Sequence, residues 1–236
     1  NELYEKGVRC FVITEQADSF ISIFPEASFI FTSNAIKALQ LLASFHRNKF
    51  LFPIIGITGS NGKTIVKEWL FTLLSKYTPT FRSPKSYNSQ IGVPLSICML
   101  QSYHQLAIIE AGISKTDEMA NLEKIIRPNI GIFTTIGPAH NENFIDINQK
   151  INEKLLLFLN VHTIVINSDE NQVLQTILEH PILSKKKIFK WGKSSNDNIQ
   201  IVKSTKKQLS TNIELKYQNS IKEIKSDCER LRAYCV

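Results

Sequence analysis

The chain has 236 residues, 43% of them hydrophobic, enough for one large domain or two smaller ones, and no apolar run approaches the roughly 20 residues that span a membrane. Its net charge is +7, and the surplus lies in residues 181–236, which hold 13 Lys and Arg against 5 Asp and Glu. Those lysines lack the aromatic interleaving that base stacking requires, so the charge pattern favours a solvated surface over a nucleic-acid site.

Four cysteines, Cys10, Cys98, Cys228 and Cys235, stand far apart and form no C-x-x-C pair. This spacing is typical of free thiols in a reducing cytoplasm. The sequence starts at Asn1 and shows no charged segment followed by an apolar one, so no signal peptide is expected. We therefore expect an internal fragment of a longer cytoplasmic protein.

Residues 1–47 resemble the end of an α/β unit. The apolar run 8–14 predicts a strand, and the second half of 29–47 has the apolar spacing of a helix, with Ser33 or Asn34 as its N-cap. A polar link then leads to a second unit, which we assign to residues 48–225. The last residues, 226–236, have no clear place in the pattern and are assigned to a divergent or truncated tail.

The second unit alternates strands with helices. Its predicted strands are 50–58, 106–112, 129–136 and 162–169, and its predicted helices are 63–77, 115–126 and 147–160. This alternation predicts an α/β fold with a mostly parallel sheet flanked by helices. After about residue 185 the signal weakens, and the runs 198–205 and 212–217 suggest an antiparallel meander.

A glycine-rich loop, GITGSNGKT at residues 56–64, joins the strand 50–58 to the helix that follows. It departs from the usual phosphate-loop pattern G-x-x-x-x-G-K-[ST] because Ile57 stands where that pattern has glycine. A strand, a glycine loop and a helix N-terminus together still form an anion site, in which Lys63 reaches phosphates and the Thr64 hydroxyl reaches magnesium. The alternative is a plain glycine turn with a lysine inside a helix.

Two further candidates follow predicted strands. Glu110 ends the strand 106–112, where ligands of open α/β sheets collect, so its carboxylate could share a metal with Thr64. The alternative is a strand-end acid that points to water. His140 follows another buried strand and could ligate a metal through a neutral imidazole, although a loop histidine is usually only a surface residue.

Lys154 is the unusual residue of the helix 147–160. It lies on or beside the apolar stripe formed by Ile147, Ile151, Leu155 and Phe158. One interpretation is a lysine that extends its amine out to water along the apolar surface. The other is a lysine turned toward the site, where burial removes its charge and leaves a reactive amine.

Five segments together resemble a known family: GITGSNGKT, KSYNSQIGVPLSI, IIEAG, GPAHNENF and INEKLLLF. Their order and spacing are similar to those of the Mur ligases, which write the phosphate loop as TG[ST]NGKT, and the resemblance covers roughly residues 1–215. It is strongest to the MurF type, and within it to the Bacteroidetes form that is fused to an alanine racemase. The resemblance implies that 1–47 end a UDP-substrate-binding domain and that 48–225 are an incomplete central ATP-binding domain.

The resemblance also implies roles for particular residues. Two magnesium ions are implied: Thr64 and Glu110 would share the first, and His140 would serve the second. Lys154 falls where the family carries a carbamylated lysine, which adds an oxygen-donor anion beside the metals. Asn88 and Ser89 lie where the family meets its acyl substrate. Lys63, Lys154 and His140 would be the catalytic residues, and the ATP phosphates would be bound by residues of the loop: Thr58, Gly59, Ser60, Asn61, Gly62, Lys63 and Thr64.

The chemistry implied by the resemblance is the ATP-dependent ligation of D-alanyl-D-alanine to UDP-MurNAc-tripeptide through an acyl phosphate. The family also has a G-x-H-N-type segment that contacts adenine and a C-terminal domain that binds the incoming amine. Neither occurs before Val236. We therefore expect this chain to be part of a cytoplasmic peptidoglycan-precursor ligase and to have little or no activity by itself.

Three alternatives remain open from the sequence. A folylpolyglutamate synthase has the same kind of phosphate loop and metal binding, but it binds folate. A P-loop kinase or GTPase is a second class, although no N-K-x-D guanine motif occurs and Lys154 has no role there. The third is a non-catalytic remnant that binds nucleotide without turnover or folds only in part.

Overall fold

A computed structural model of the chain describes residues 2–15, 18–138, 141–207, 210–218 and 220–227. Short 3-10 helices lie at Asn141–Asn143, Leu156–Phe158 and Leu183–Lys185. The α-helices of the described residues are α1 (Glu2–Glu5), α2 (Asp18–Ile23), α3 (Ala35–Arg47), α4 (Lys63–Leu74), α5 (Gly92–Cys98), α6 (Met119–Ile126), α7 (Ile147–Leu155) and α8 (Asn171–Glu179). The strands are β1 (Cys10–Ile13), β2 (Ser28–Phe31), β3 (Ile54–Thr58), β4 (Thr80–Arg82), β5 (Leu106–Glu110), β6 (Ile130–Phe133), β7 (Thr163–Asn167), β8 (Lys187–Gly192), β9 (Ile199–Lys206), β10 (Ser210–Tyr217) and β11 (Ser220–Asp227).

Most of the described strands form one sheet in the order β11-β10-β9-β8-β7-β6-β3-β5-β4, and β1 and β2 pair separately. From β4 to β9 every pairing is parallel, and β9, β10 and β11 are antiparallel. The predicted mostly parallel sheet with flanking helices and the predicted meander are therefore confirmed. No helix among the described residues is long and apolar enough to cross a membrane.

Alternate residues of the central strands pack on opposite faces of the sheet, as the two-residue period of a strand requires. Ile55, Ile57 and Ile108 form a small cluster under α4, where Val66, Leu70, Phe71 and Leu74 cover them. Ile54, Ala107 and Ile109 belong instead to the larger core on the other face, together with residues of α3, α5, α6, α7 and α8. The central strand β3 is thus buried on both sides, which fixes the loop that follows it.

Helix α3 joins the first residues of the chain to this core. The Asn34 side chain caps it by accepting a hydrogen bond from the Lys37 amide at 2.9 Å, as the sequence predicts for this position. Ala43 is fully buried in the larger core, and Arg47 Nε donates to the Ile126 carbonyl of α6 at 3.1 Å. The domain limits at 47, 48, 225 and 226 stay a prediction, and α3 packs closely on the second unit.

Several predicted boundaries are wrong. The strand expected over 50–58 begins only at Ile54, after Pro53, which has no N–H to donate to a neighbouring strand. The helix expected over 115–126 begins at Met119. Strand β11 continues to Asp227, inside the segment that the sequence left without a place. In α4, Ile65, Trp69 and Leu73 are exposed, because the helix contacts the sheet through the face that includes Leu70 and Leu74.

Gly131 provides a test of the packing between β6 and the helix segment after α7. A Cβ atom at this position would come within 2.4 Å of the Phe158 ring. We expect Gly131→Ala to lower the free energy of unfolding by about 1–3 kcal/mol, measured by urea denaturation. Adding Phe158→Leu should recover part of that loss; strictly additive losses in the double variant would contradict the proposed contact.

Candidate functional site

The glycine loop forms a turn that only glycine suits at two positions. Gly59 and Gly62 have φ angles of +140° and +81°, and a Cβ atom at Gly59 would lie 2.1 Å from Thr134 Oγ1. Ile57 lies two residues before Gly59, inside β3, where it pairs with Glu110 and is fully buried. The residue that departs from the usual pattern is therefore a core strand residue, and the loop proper begins after it.

Hydrogen bonds fix this loop to the ends of the neighbouring strands. Thr58 Oγ1 donates to the Ala111 carbonyl at 2.9 Å, just after β5. The Ser60 amide donates to the Thr135 carbonyl at 2.7 Å, and Thr134 Oγ1 donates to the Asn61 carbonyl at 2.6 Å, just after β6. The loop then enters α4 at Lys63, so the positive end of the helix faces the loop. This arrangement fits an anion such as a phosphate group.

Lys63 folds back over the loop. Its Nζ donates to the carbonyl oxygens of Gly59 at 2.9 Å and Ser60 at 3.2 Å. Burial lowers the pKa of the Lys63 amine; Glu110 opposes this effect and Lys150 adds to it. A cation that is partly desolvated in this way binds an anion strongly, because water screens the attraction less.

Glu110 is completely buried, so the alternative of an acid that points to water is wrong. Its Oε2 accepts a hydrogen bond from Thr64 Oγ1 at 3.2 Å and another from Asn88 Nδ2 at 3.3 Å. Its Oε1 lies 2.8 Å from Lys67 Nζ. The hydroxyl and the carboxylate are the oxygen donors that magnesium prefers, so Thr64 and Glu110 fit a magnesium ion.

Lys154 turns inward. Its side chain is only 3% exposed, and its Nζ donates to the Gly59 carbonyl at 3.2 Å, so the interpretation in which it extends to water is wrong. Burial, together with the nearby charges of Lys63 and Lys150, lowers the pKa of Lys154 to about 7. At pH 8 most of these amines are uncharged in the folded chain, and an uncharged amine is the form that reacts as a nucleophile.

Lys63 and Lys154 line an open cleft of about 380 Å³. Asn88, Ser89, Gly59 and Ser60 also line this cleft, and the contact of Asn88 and Ser89 with a substrate stays a prediction. Three apolar residues, Ile36, Ile91 and Ile113, also line it. The cleft therefore combines two amines at the phosphate loop with a wall that is neutral apart from Glu118 and can contact an organic substrate.

His140 lies outside the residues that the structure describes, so its role at a second magnesium ion stays a prediction. In the described ranges, no group of three or more His, Cys, Asp or Glu residues is arranged to hold a metal ion. The proposed magnesium donors are instead one hydroxyl and one carboxylate, with a modified lysine as the further candidate.

Two buried lysines were missed by the sequence interpretation. Lys67 is fully buried one helical turn after Lys63, and Lys150 is almost fully buried one turn before Lys154. Lys150 Nζ donates to the Gly137 carbonyl at 2.6 Å, in the loop that contacts Ser60. The signal that could have found them is the four-residue spacing, which places each lysine on the same helix face as a predicted site lysine.

A family model described as the Mur ligase middle domain matches residues 57–228. The chain belongs to the Mur ligase family. The matched range includes the phosphate loop, Glu110 and Lys154, so the site described above lies within the part of the chain that defines its membership.

Relatives of the Mur ligase family agree with this assignment. The UDP-N-acetylmuramoyl-tripeptide–D-alanyl-D-alanine ligase of Borreliella burgdorferi is 35% identical over 205 residues, which are 85% of this chain and 42% of the relative. The crystal structure of MurF ligase from Thermotoga maritima in complex with ADP has a TM-score of 0.79 at 21% identity, covering 97% of this chain and 59% of that one. The chain thus spans about half the length of the relatives it matches.

The structure of a different enzyme shares the fold less closely. Folylpolyglutamate synthase from Mycobacterium tuberculosis, complexed with ADP and AMPPCP, has a TM-score of 0.63 at 14% identity and covers 81% of this chain and 52% of its own. At these identities the two structural comparisons show the fold alone.

Proposed function

We propose that this chain is the ATP-binding core of a MurF-type ligase, which joins D-alanyl-D-alanine to UDP-MurNAc-tripeptide in peptidoglycan precursor synthesis. The observation that carries the proposal is the convergence of Lys63 and Lys154 on the Gly59 carbonyl, at 2.9 and 3.2 Å, beside the hydrogen-bonded pair of Thr64 and the buried Glu110. Two amines and a pair of oxygen donors at one phosphate loop match what ATP with magnesium requires.

In the proposed reaction the carboxylate of the tripeptide attacks the γ-phosphorus of ATP, which forms an acyl phosphate and releases ADP. The amine of D-alanyl-D-alanine then attacks the acyl carbon, a proton is lost, and phosphate leaves as the amide forms. Lys63 binds the phosphate oxygens and offsets their growing charge. Asn88 and Ser89 orient the acyl group in the cleft.

Magnesium would supply Lewis-acid stabilisation of the transferred phosphoryl group when bound at Thr64 and Glu110, with His140 at a second ion.

A further element of the proposal is the carbamylation of Lys154. Its uncharged Nζ would form a bond to the carbon of CO₂ and release a proton to solvent, which leaves a carbamate anion on the side chain. Burial and the pKa of about 7 support this, because they favour the free amine that the reaction needs.

The wider setting of the proposal is a cytoplasmic enzyme of cell wall biogenesis, which affects cell shape and division. The full-length protein is proposed to carry the further ligase domain and a fused alanine racemase. That fusion would supply D-alanine for the dipeptide substrate. The sequence similarity to the ligase of Borreliella burgdorferi supports the ligase part of this proposal.

Calorimetric titration tests the nucleotide site. We expect the purified chain to bind ATP at millimolar concentration or below, and more tightly with magnesium than with EDTA. A chain that binds no ATP at millimolar concentration would favour the non-catalytic remnant. A phosphate-release assay with both substrates and MgATP should give little turnover for this chain and full turnover for the full-length protein.

Folylpolyglutamate synthase is the second candidate, because a structure of that enzyme shares the fold with a TM-score of 0.63. The acyl substrate separates the two proposals. Binding of UDP-MurNAc-tripeptide to the full-length protein, with no binding of a folate, supports the MurF-type ligase, and the reverse result supports the second candidate.

A further inference from the structure

Lys67 is a lysine without any exposed side-chain surface, and it lies directly beneath the proposed magnesium site. Its Nζ is 2.8 Å from Glu110 Oε1 and donates to the Ser83 carbonyl at 2.8 Å and to the Lys85 carbonyl. The Glu68 carboxylate lies 3.4 Å from the same nitrogen. The two carbonyl oxygens accept hydrogen bonds from the ammonium, whereas Glu110 Oε1 accepts no hydrogen bond among the described residues and is held to Lys67 by their opposite charges. Its position is therefore fixed by contacts on several sides.

The Lys67 ammonium gives the two oxygens of the Glu110 carboxylate different surroundings. Oε1 is paired with the Lys67 cation, whereas Oε2 faces the Thr64 hydroxyl at 3.2 Å and the Asn88 amide at 3.3 Å. A second cation cannot share Oε1 without meeting the like charge of Lys67 at short range. Glu110 can therefore offer only Oε2 to a metal ion.

Magnesium and calcium differ in how many oxygens of a single carboxylate they bind. Magnesium is small, demands nearly octahedral geometry and is usually held by single carboxylate oxygens together with water. Calcium accepts about six to eight oxygens in a more flexible geometry and readily takes both oxygens of one carboxylate. A carboxylate that is confined to one oxygen favours magnesium.

We propose that Lys67 is a positioning residue that limits Glu110 to one-oxygen binding and so makes the nucleotide site selective for magnesium over calcium. The proposal rests on the proposed function, because it needs a metal–nucleotide complex at this site. Lys67 also holds the backbone of Ser83 and Lys85, in the segment that leads to Asn88. The same side chain thus connects Glu110 to the segment that carries Asn88, which donates to Glu110 Oε2.

The test is calorimetric titration of ADP into the full chain and into Lys67→Met, each in EDTA, in magnesium and in calcium. Met keeps a long side chain in the buried space and removes the charge. For the unaltered chain we expect tighter ADP binding in magnesium than in calcium. For Lys67→Met we expect the ratio of the two affinities to fall by about tenfold or more, the size of one charged hydrogen bond.

Arg47→Met is the matched control, because Arg47 is also a buried cation that donates to backbone carbonyls, here of Ile126 and Phe52, without contact to Glu110. It should lower thermal stability and leave the magnesium-to-calcium ratio unchanged. An equal loss of ADP affinity in all three solutions for Lys67→Met would overturn the proposal and leave Lys67 a purely structural residue. Absence of ADP binding by the unaltered chain would overturn the proposed function itself.

A second measurement needs no variant and covers the case in which Lys67→Met does not fold. A crystal structure of the unaltered chain with ADP and magnesium should show Glu110 bound to the ion through Oε2 alone, with Lys67 still on Oε1. Binding through both oxygens, or displacement of Lys67 from Glu110, would overturn the proposal.

Discussion

Replacing Lys63 by Met lowers the affinity of the chain for MgATP by about ten- to a hundredfold, the value of a hydrogen bond from a charged donor. Lys63 is the helix-start lysine whose Nζ lies on the Gly59 and Ser60 carbonyls, next to the turn that fits phosphate. The amine is partly desolvated already, so its attraction to a phosphate is weakened little by water. Calorimetric titration of ATP in magnesium measures the change.

The control for this variant is Lys124→Met, which removes an exposed lysine of α6 and should leave the affinity unchanged. Thermal unfolding of both variants shows whether the fold is retained. An ATP affinity of Lys63→Met equal to that of the unaltered chain, in a folded protein, would rule out a phosphate-binding role for Lys63.

Replacing Lys154 by Met has opposite effects on stability and on activity. The folded-state pKa of Lys154 is about 7 against an ordinary value of 10.5, so the unfolded chain binds more protons than the folded chain between pH 7 and 10.5. The free energy of unfolding therefore rises with pH across this window, and the full penalty is present at and below pH 7. Lys154→Met removes a penalty on the order of 5 kcal/mol at pH 7, and the gain fades toward pH 10.5.

Urea denaturation at pH 7 and pH 10 in CO₂-free buffer measures this gain, with Lys124→Met as the control that shows no pH-dependent difference. A stability gain of equal size at both pH values would contradict the lowered pKa. In the full-length ligase the same change should reduce turnover by about a hundred- to a thousandfold, the cost of removing one group that stabilises the reacting charge. A more stable protein with less activity is the signature of a functional buried amine.

The strand, loop and helix around Lys63 could be predicted from the sequence because their signals are local. The buried run of β3, the glycines and the spacing of α4 lie within about twenty residues of one another, and the structure confirms the order. The inward position of Lys154 was one of two open alternatives, since the apolar stripe of α7 suits a lysine that turns in or out. The neighbours that decide it, the Gly59 carbonyl and Lys63, lie far away in sequence.

The part that could not be predicted depends on contacts between distant segments. In the sequence, Lys67 cannot be distinguished from any other lysine of an amphipathic helix. In the fold, β5 and the segment after β4 place Glu110 and Ser83 next to it. The exposed face of α4 could not be assigned for a related reason: Ile65, Trp69 and Leu73 have the same helical spacing as Val66, Leu70 and Leu74, which contact the sheet. Helical spacing alone shows that residues lie along a helix and leaves open which apolar face meets the sheet.

The meander of β9, β10 and β11 affects the order in which parts of the chain unfold. Its pairings join residues close in sequence, and most of its described side chains are partly or fully exposed. The phosphate loop depends instead on β3 between β5 and β6, strands that are about fifty to seventy-five residues away along the chain and buried on both faces. Strands that pair locally and bury few contacts unfold at a low free-energy cost. A parallel core built from distant segments unfolds only together with the whole domain. The last strands can therefore fray or rearrange against a neighbouring segment while the nucleotide site stays intact.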